Sequence, residues 1–254
     1  MDLKVGDYVS RKSYNNDLIF KVVSINNDDV SLKGVYMRLY ADAKINDLKK
    51  EDNIKDSFNP IEETENQRDE YFYLPGKILH IDGDEEYLEK CLNFYKKDNI
   101  YAIGKKINED EIANQIKELL VKLKPDVLVM TGHDAYYSKK GDKNNISNYK
   151  NSFNFVKAIR AARNYEKSQE KLVIIAGACQ SDYEELIKAG ANFASSPKRV
   201  NIHALDPAII AVNVALTKRN NNIDLKSILN KTKYGSDGMG GIITNGLMYV
   251  GYPR

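Results

Sequence analysis

The 254-residue chain is 42% hydrophobic and 29% charged, enough for a sizeable core, and its formal net charge of +2 gives no case for a nucleic-acid partner. No apolar stretch reaches membrane-spanning length, and Met1-Asp2-Leu3-Lys4-Val5-Gly6 lacks the apolar core of a signal peptide, so a cytosolic protein with no membrane partner is expected. Two cysteines, Cys91 and Cys179, make no disulfide framework, and three histidines show no zinc-ligand spacing, so neither a metal nor another cofactor is expected.

Residues 1–48 alternate short apolar segments, Tyr8-Val9, Ile19-Phe20-Lys21-Val22-Val23 and Val30-Ser31-Leu32, with Asn15-Asn16-Asp17 and Asn26-Asn27-Asp28-Asp29 between them. Closely spaced strands with Asn/Asp turns predict a small SH3-like β-barrel. Residues 49–72 are rich in Lys, Glu, Asp, Asn and Gln around Pro60 and read as a charged, solvated linker.

From 73 to 254 the pattern alternates strand and helix. Lys77–Ile81 and Ile100–Ile103 are predicted strands around a helix through Leu88–Tyr95, whose stripe of Leu88, Cys91, Leu92 and Tyr95 makes Cys91 a core residue. A second helix, Ile112–Leu123, turns Ile112, Ile116, Leu119 and Leu120 inward and is stopped by Pro125. A strand at Val127–Met130, a helix at Phe153–Tyr165 with Phe153, Val156 and Ile159 inward, and a strand at Leu172–Ile175 follow. Then come a helix from Tyr183 to Ala189, a strand near Phe193–Ser195, a helix from Pro207 to Leu216, and a hairpin-like apolar stretch, Gly241–Tyr252. Repeated right-handed βαβ units predict an α/β fold: a doubly wound, mostly parallel sheet with helices on both faces.

Two groups carry the chemistry. Thr131-Gly132-His133-Asp134 follows the Val127–Met130 run, and Ala176-Gly177-Ala178-Cys179-Gln180-Ser181 follows Leu172–Ile175. Neighbouring buried strands would set an imidazole and a thiol at the same carboxyl edge, where open α/β sheets place their ligands. A thiol becomes a nucleophile as the thiolate, with a histidine as its usual companion. The pair reads as a cysteine peptidase, with Cys179 as nucleophile and His133 as general acid and base.

His133 precedes Cys179 by 46 residues, and in caspases the histidine lies about 50 residues before the Gln-Ala-Cys motif, so the arrangement is similar to the caspase-like peptidases. The same two blocks, the N-terminal barrel, Ser195-Ser196-Pro197 and Asn201-Ile202-His203-Ala204-Leu205-Asp206-Pro207 resemble the sporulation-specific peptidase family YabG over almost the whole chain. That resemblance implies a caspase-like thiol protease of endospore formers, in the mother-cell cytoplasm and the spore coat. It further implies protein substrates of the spore coat, cortex and germination apparatus, cleavage after arginine, and self-processing.

In caspase-like enzymes the histidine protonates the leaving amine and later activates water. The backbone N–H of Cys179 and a second from the Gly132–Asp134 loop are the expected oxyanion donors. Asp134 stands where caspase-like enzymes carry glycine, and it either alters that loop or orients His133. Ser181 with Glu184 fits a capping box opening a helix whose dipole favours the thiolate. Reading arginine calls for an enclosed carboxylate. Asp206 is the first choice, with Asp182 and Asp237 beside it, and His203 either lines the pocket or competes as the base. Arg68 in the linker is a candidate self-cleavage residue, and Ser138–Asn151 a candidate gating loop.

Two other readings stand beside this one. The chain could be a non-catalytic spore-coat assembly or binding protein, with the barrel docking coat proteins. Asp82 and Asp84 also resemble the Asp-x-Asp of phosphoryl-transfer hydrolases or receiver domains. His80, inside an apolar strand, reads as a core residue, and Gly238-Met239-Gly240-Gly241 is no P-loop because no Gly-Lys-Ser/Thr follows.

Overall fold

The computed structural model describes residues 3–52, 54, 71–137 and 141–252, in two compact units, Met1–Asn59 and Pro60–Arg254. Arg68, with most of the expected linker, lies outside the described residues, as do three residues of the expected gating loop.

The first unit is a five-stranded antiparallel sheet: β1 Tyr8–Arg11, β2 Phe20–Asn26, β3 Asp29–Gly34, β4 Tyr40–Lys44 and β5 Leu48–Lys50, in the order β4-β3-β2-β1-β5. The asparagines do what the sequence asks of them. Asn15, Asn16 and Asn27 take left-handed φ of 54°, 53° and 55° in the turns, a conformation Asn tolerates better than most residues. Val9, Phe20, Val22, Val30, Leu32 and Leu48 form the apolar core. β5 pairs with β1 through Lys49 and Lys50, so sheet hydrogen bonding continues into the stretch that composition assigns to the linker.

In the second unit come β6 Phe72–Leu74, β7 Ile78–Asp82, α1 Glu85–Lys97, β8 Ala102–Lys106, α2 Ile112–Leu123, β9 Val127–Thr131, α3 Ser152–Tyr165, β10 Val173–Ala176 and α4 Tyr183–Lys188. β11 Phe193–Ser195, α5 Asp206–Leu216, α6 Leu225–Asn230, β12 Met239–Gly241 and β13 Tyr249–Gly251 complete it. The main sheet runs β12-β11-β10-β9-β7-β8, parallel except for β12. The fold is therefore α/β with a mixed, mostly parallel sheet. β7, β9 and β10 are buried at every position, as strands covered on both faces must be.

Side-chain alternation divides the strands between two layers. Leu79, Ile81, Leu128, Met130, Ile174 and Ala176 pack with residues of α2, α3 and α4. On the opposite face, α1 lies against β7 and β8 while α5 lies against β9 and β10. Here His80 is fully buried, its Nδ1 2.7 Å from Tyr95 Oη and its Nε2 3.0 Å from Thr131 Oγ1, a satisfied core histidine. α1 begins on an Asp84 cap that accepts from Tyr87 N (3.2 Å), with Glu85 and Glu86 in its first turn and Lys96 and Lys97 in its last.

Two expectations are corrected. Gly241–Tyr252 is no hairpin: β12 pairs with β11 at the edge of the main sheet, and β13 pairs with β6 in a separate two-stranded sheet. Apolar alternation reveals strands but not partners, and β13's partner lies more than 170 residues upstream. Phe153 does not point inward. It is 48% exposed under the Lys157 ammonium, and Phe155, Val156, Ile159 and Ala162 form the buried stripe of α3. Val156 and Ile159 are buried as expected; spacing of three residues admits Phe153 at the edge of that stripe, whose centre lies toward Phe155 and Ala162.

The order of β8, β7 and β9 makes a topological switch point. From β7 the chain moves outward to β8, then crosses to β9 on the other side, so the connections leaving β7 and β9 diverge and leave a crevice at their carboxyl ends.

Candidate functional site

His133 lies in that crevice. It follows β9 by two residues, and its ring centroid is 5.8 Å from that of Tyr87 on α1. Two carboxylates flank the imidazole: Asp84 Oδ2 is 3.7 Å from Nε2, and Glu109 Oε1 is 3.7 Å from Nδ1. Glu109 Oε1 also accepts from the His133 backbone N–H at 2.7 Å, while Asn151 Nδ2 donates to the His133 carbonyl at 2.8 Å. Burial works to raise the Glu109 carboxyl, but hydrogen bonds from the side chain and backbone of His133 outweigh it and hold the group below the usual glutamate value. Space for this contact comes from glycines. A Cβ on Gly132 or Gly83 would run into the Glu109 carboxylate, so a side chain at either position would push that carboxylate out of this contact.

Cys179 stands at the corresponding place on the neighbouring strand. Met130 and Ala176 are the last paired residues of β9 and β10, and His133 and Cys179 are each the third residue beyond them. The sulfur is fully buried. Ile202 N–H donates to Sγ at 3.3 Å, and the Ile202 carbonyl is 3.8 Å from it. The sulfur thus accepts from the Ile202 N–H and donates to the Ile202 carbonyl. Nearby, Cys91 Sγ on α1 donates to the Ala204 carbonyl at 3.4 Å, so the segment leading into α5 touches the helix that carries Tyr87 and reaches Cys179 too. Cys91 is buried in the core, as its stripe requires.

Asp134 is buried and accepts from four donors. Its Oδ1 accepts from Ala135 N (2.9 Å) and Asn151 N (2.7 Å), and its Oδ2 from Ser152 Oγ (2.5 Å) and Ser181 Oγ (2.9 Å). None of these donors is the His133 ring. Burial pushes the Asp134 carboxyl up despite the four bonds. The carboxylate ties the histidine loop to the start of α3 and to the cysteine loop.

The helix cap also shifts by one residue. Asp182 caps α4 by accepting from Glu185 N, whereas Ser181 Oγ accepts from Ala178 N (2.9 Å) and donates to Asp134. The backbone N–H groups of Gly132 and Asp134 have no acceptor among the described residues.

The remaining predicted residues are distributed as follows. Asp206 is fully buried, accepting from His203 N (2.8 Å) and Lys233 N (2.9 Å). His203 Nδ1 accepts from Leu205 N (3.2 Å), which commits that nitrogen to its own loop. Asp237 is exposed, and its carbonyl accepts from Lys198 N. Asp182 is 2% exposed, its Oδ2 has no hydrogen-bond partner among the described residues, and burial raises its carboxyl. Asp82 is fully buried and accepts from Thr131 Oγ1 (2.8 Å) and Asp84 N (2.9 Å).

Sequence reasoning missed Glu109, Ser152, Arg199 and Ile202, and it weighed Asp84 only for phosphoryl chemistry. Glu109 had a readable signal in retrospect, since an acid just past a strand end lies at the same sheet edge as His133. Ile202 acts through its backbone and leaves no side-chain signal.

Residues 4–60 and 53–253 match the YabG peptidase U57 family. The chain is also 39% identical over 286 residues, covering 100% of this chain and 99% of the relative, to the sporulation-specific protease YabG of Bacillus subtilis (strain 168).

Proposed function

The chain belongs to the YabG peptidase family and is a protease, and from that premise we propose that it is a cysteine endopeptidase of sporulation in which Cys179 attacks and His133 moves the protons. The observation that carries the reading is the matched position of His133 and Cys179 past adjacent parallel strands, with Ile202 N–H aimed at the sulfur. Family membership also displaces the non-catalytic assembly reading.

The Cys179 thiolate adds to the scissile carbonyl and forms a tetrahedral oxyanion. The unoccupied N–H groups of Asp134 and Gly132, with that of Cys179, are the donors within this loop pair for that charge. His133, flanked by Asp84 and Glu109, protonates the leaving amine as the C–N bond breaks, giving a thioester. Water, losing a proton to His133, then hydrolyses the thioester and frees the sulfur. The order of strands and the placement of histidine and cysteine support a caspase-like peptidase domain, and the five-stranded N-terminal sheet supports an SH3-like barrel that recruits substrate. No helix among the described residues is long and apolar enough to cross a membrane. The substrates are read as spore-coat, cortex and germination proteins met in the mother cell and the coat, cleaved after arginine, with the chain itself among them.

Of the carboxylates weighed for arginine, Asp206 has both oxygens on backbone donors and Asp237 is exposed. Asp182 alone combines burial with an oxygen that no donor meets, and it supports the arginine reading best.

Mass spectrometry of fragments from a mixed protein pool tests the proposal. Native protein should yield fragments ending in arginine, and Cys179→Ala and His133→Ala should yield none while keeping the native unfolding midpoint. Full cleavage by the Cys179→Ala protein removes the proposal.

A further inference from the structure

The nucleophile is covered. Residues 196–202 leave β11 and lie across the cysteine loop: Gln180 N donates to Ser196 Oγ (2.9 Å) and to the Val200 carbonyl (3.2 Å), and Ile202 closes on Sγ. With Cys179 fully buried, no peptide carbonyl can reach the sulfur until this strap moves.

Several bonds hold the strap, among them Ser196 N–H to the Gly238 carbonyl (2.7 Å), Lys198 N–H to the Asp237 carbonyl (3.2 Å) and Gln180 Nε2 to Asn201 Oδ1 (3.3 Å), and one long charged side chain adds to them. Arg199 Nε donates to Tyr149 Oη (2.6 Å), and its Nη2 lies 3.4 Å from the Lys143 carbonyl, 3.3 Å from Glu184 Oε2 and 4.0 Å from Asp182 Oδ1. Asp182 and Glu184 follow Cys179 by three and five residues, so this seat for a cation adjoins the nucleophile.

We propose that Arg199 is an internal stopper: its guanidinium fills a cation seat formed by Asp182, Glu184 and Tyr149, and a substrate's cationic side chain must displace it to open the strap over Cys179. The proposal rests on the cysteine-peptidase reading above and supplies its regulation. Three features distinguish a stopper from an ordinary ion pair. First, the fit is incomplete. A settled guanidinium–carboxylate pair is bidentate, with nitrogens about 2.8 Å from the oxygens, whereas Asp182 is buried and its Oδ2 has no hydrogen-bond partner among the described residues. Second, the strap is held in a disfavoured backbone. Ser196 and Arg199 have φ of 66° and 53°, in the left-handed region that costs non-glycine residues free energy, so release of the strap relieves strain. Third, the fastening and the cover belong to one seven-residue segment, so moving the guanidinium and uncovering the sulfur are coupled events. A free guanidinium that makes the missing contacts binds the open form better, which is the differential affinity needed to shift such an equilibrium.

The test follows iodoacetamide labelling of Cys179 peptides by mass spectrometry. In the native protein N-acetyl-arginine amide should speed labelling about tenfold, while its neutral isostere N-acetyl-citrulline amide should not, because only the cation competes for the seat. Arg199→Ala should label about tenfold faster without any additive and lose the response to it, and Asp182→Asn should lose the response as well. Equal native rates with the two amides overturn the stopper, and this arm needs no variant to fold. The cysteine-peptidase reading fails separately: cleavage surviving in Cys179→Ala removes the nucleophile, while labelling of Cys179 still reports whether the strap opens.

Discussion

The Asp134 carboxylate and the Ser181 hydroxyl are 2.9 Å apart, and this bond joins the loop bearing His133 to the loop bearing Cys179. Each loop has its own strand, but nothing in the strand ladder fixes the loops relative to each other beyond Met130 and Ala176. The hub extends that alignment from Met130 to Asp134 on one side and from Ala176 to Ser181 on the other. Asp134→Ala strands four donors in a buried place, each unmet group costing about 1–3 kcal/mol before relaxation. We expect a large fall in the unfolding midpoint by urea titration, and lost peptide cleavage at temperatures where the variant remains folded. A variant with native stability and activity would show that the hub positions nothing.

The same group makes stability depend on pH. Burial holds the Asp134 pKa above the ordinary 3.8, so just above pH 3.8 the folded chain keeps a proton that the unfolded chain has lost. Stability therefore declines as pH rises through that window. Asp134→Asn, which cannot ionise, should flatten this part of the profile in urea midpoints collected at closely spaced pH values. An unchanged slope would place the titration elsewhere.

Glu109 has the opposite sign. Its pKa is lowered from 4.5 by His133, so its contribution is fully present above pH 4.5 and is lost as pH falls through the lower folded value. In Glu109→Gln the amide oxygen can still accept from His133 N, but the charge beside the ring is gone. We expect about a 10–100-fold loss in kcat with KM little changed, as for removal of groups that orient a catalytic side chain. Gly132→Ala should reproduce much of that loss, because its new Cβ would occupy the space now held by Glu109 Oε1. A change confined to KM would assign Glu109 to substrate binding instead.

The neighbouring positions of β9 and β10 and the two site loops were legible because buried parallel strands leave uninterrupted apolar runs, as at Val127–Met130, and because turn residues mark where they stop. Contacts between loops distant in sequence left no such mark. Asp134 could be read only as a departure from glycine, since its four donors come from Ala135, Asn151, Ser152 and Ser181, three of them reached only after folding. Ser181 and Asp182 both suit a helix cap, and the backbone selects Asp182 because Ser181 is already engaged with Ala178 N. Phe153 was read into the buried stripe because it lies three residues before Val156, whereas Phe155, on nearly the opposite side of the helix, is the aromatic the core takes. Phe153→Ser should change stability by no more than about 0.5 kcal/mol, whereas Phe155→Ala should cost about 3–5 kcal/mol. Parallel urea titrations of the two variants would check the assignment, and equal costs would refute it.

Gly177 governs the turn that leads to Cys179. Its φ of 106° lies where only glycine is at ease, and a Cβ there would stand 2.3 Å from Ser195 Oγ and 2.8 Å from Leu186 Cδ1. Ser195 Oγ cannot retreat without giving up its 2.8 Å bond to the Ala178 carbonyl, and Leu186 is in the core under α4. Backbone strain of about 1–3 kcal/mol therefore adds to a steric conflict in Gly177→Ala. The disturbance falls two residues from Cys179, so catalysis should suffer more than stability. Comparing kcat/KM with the urea midpoint for this variant separates the two effects: activity should collapse while most of the cooperative transition persists. If activity instead tracks the folded fraction alone, the turn supports the fold and does not place the sulfur.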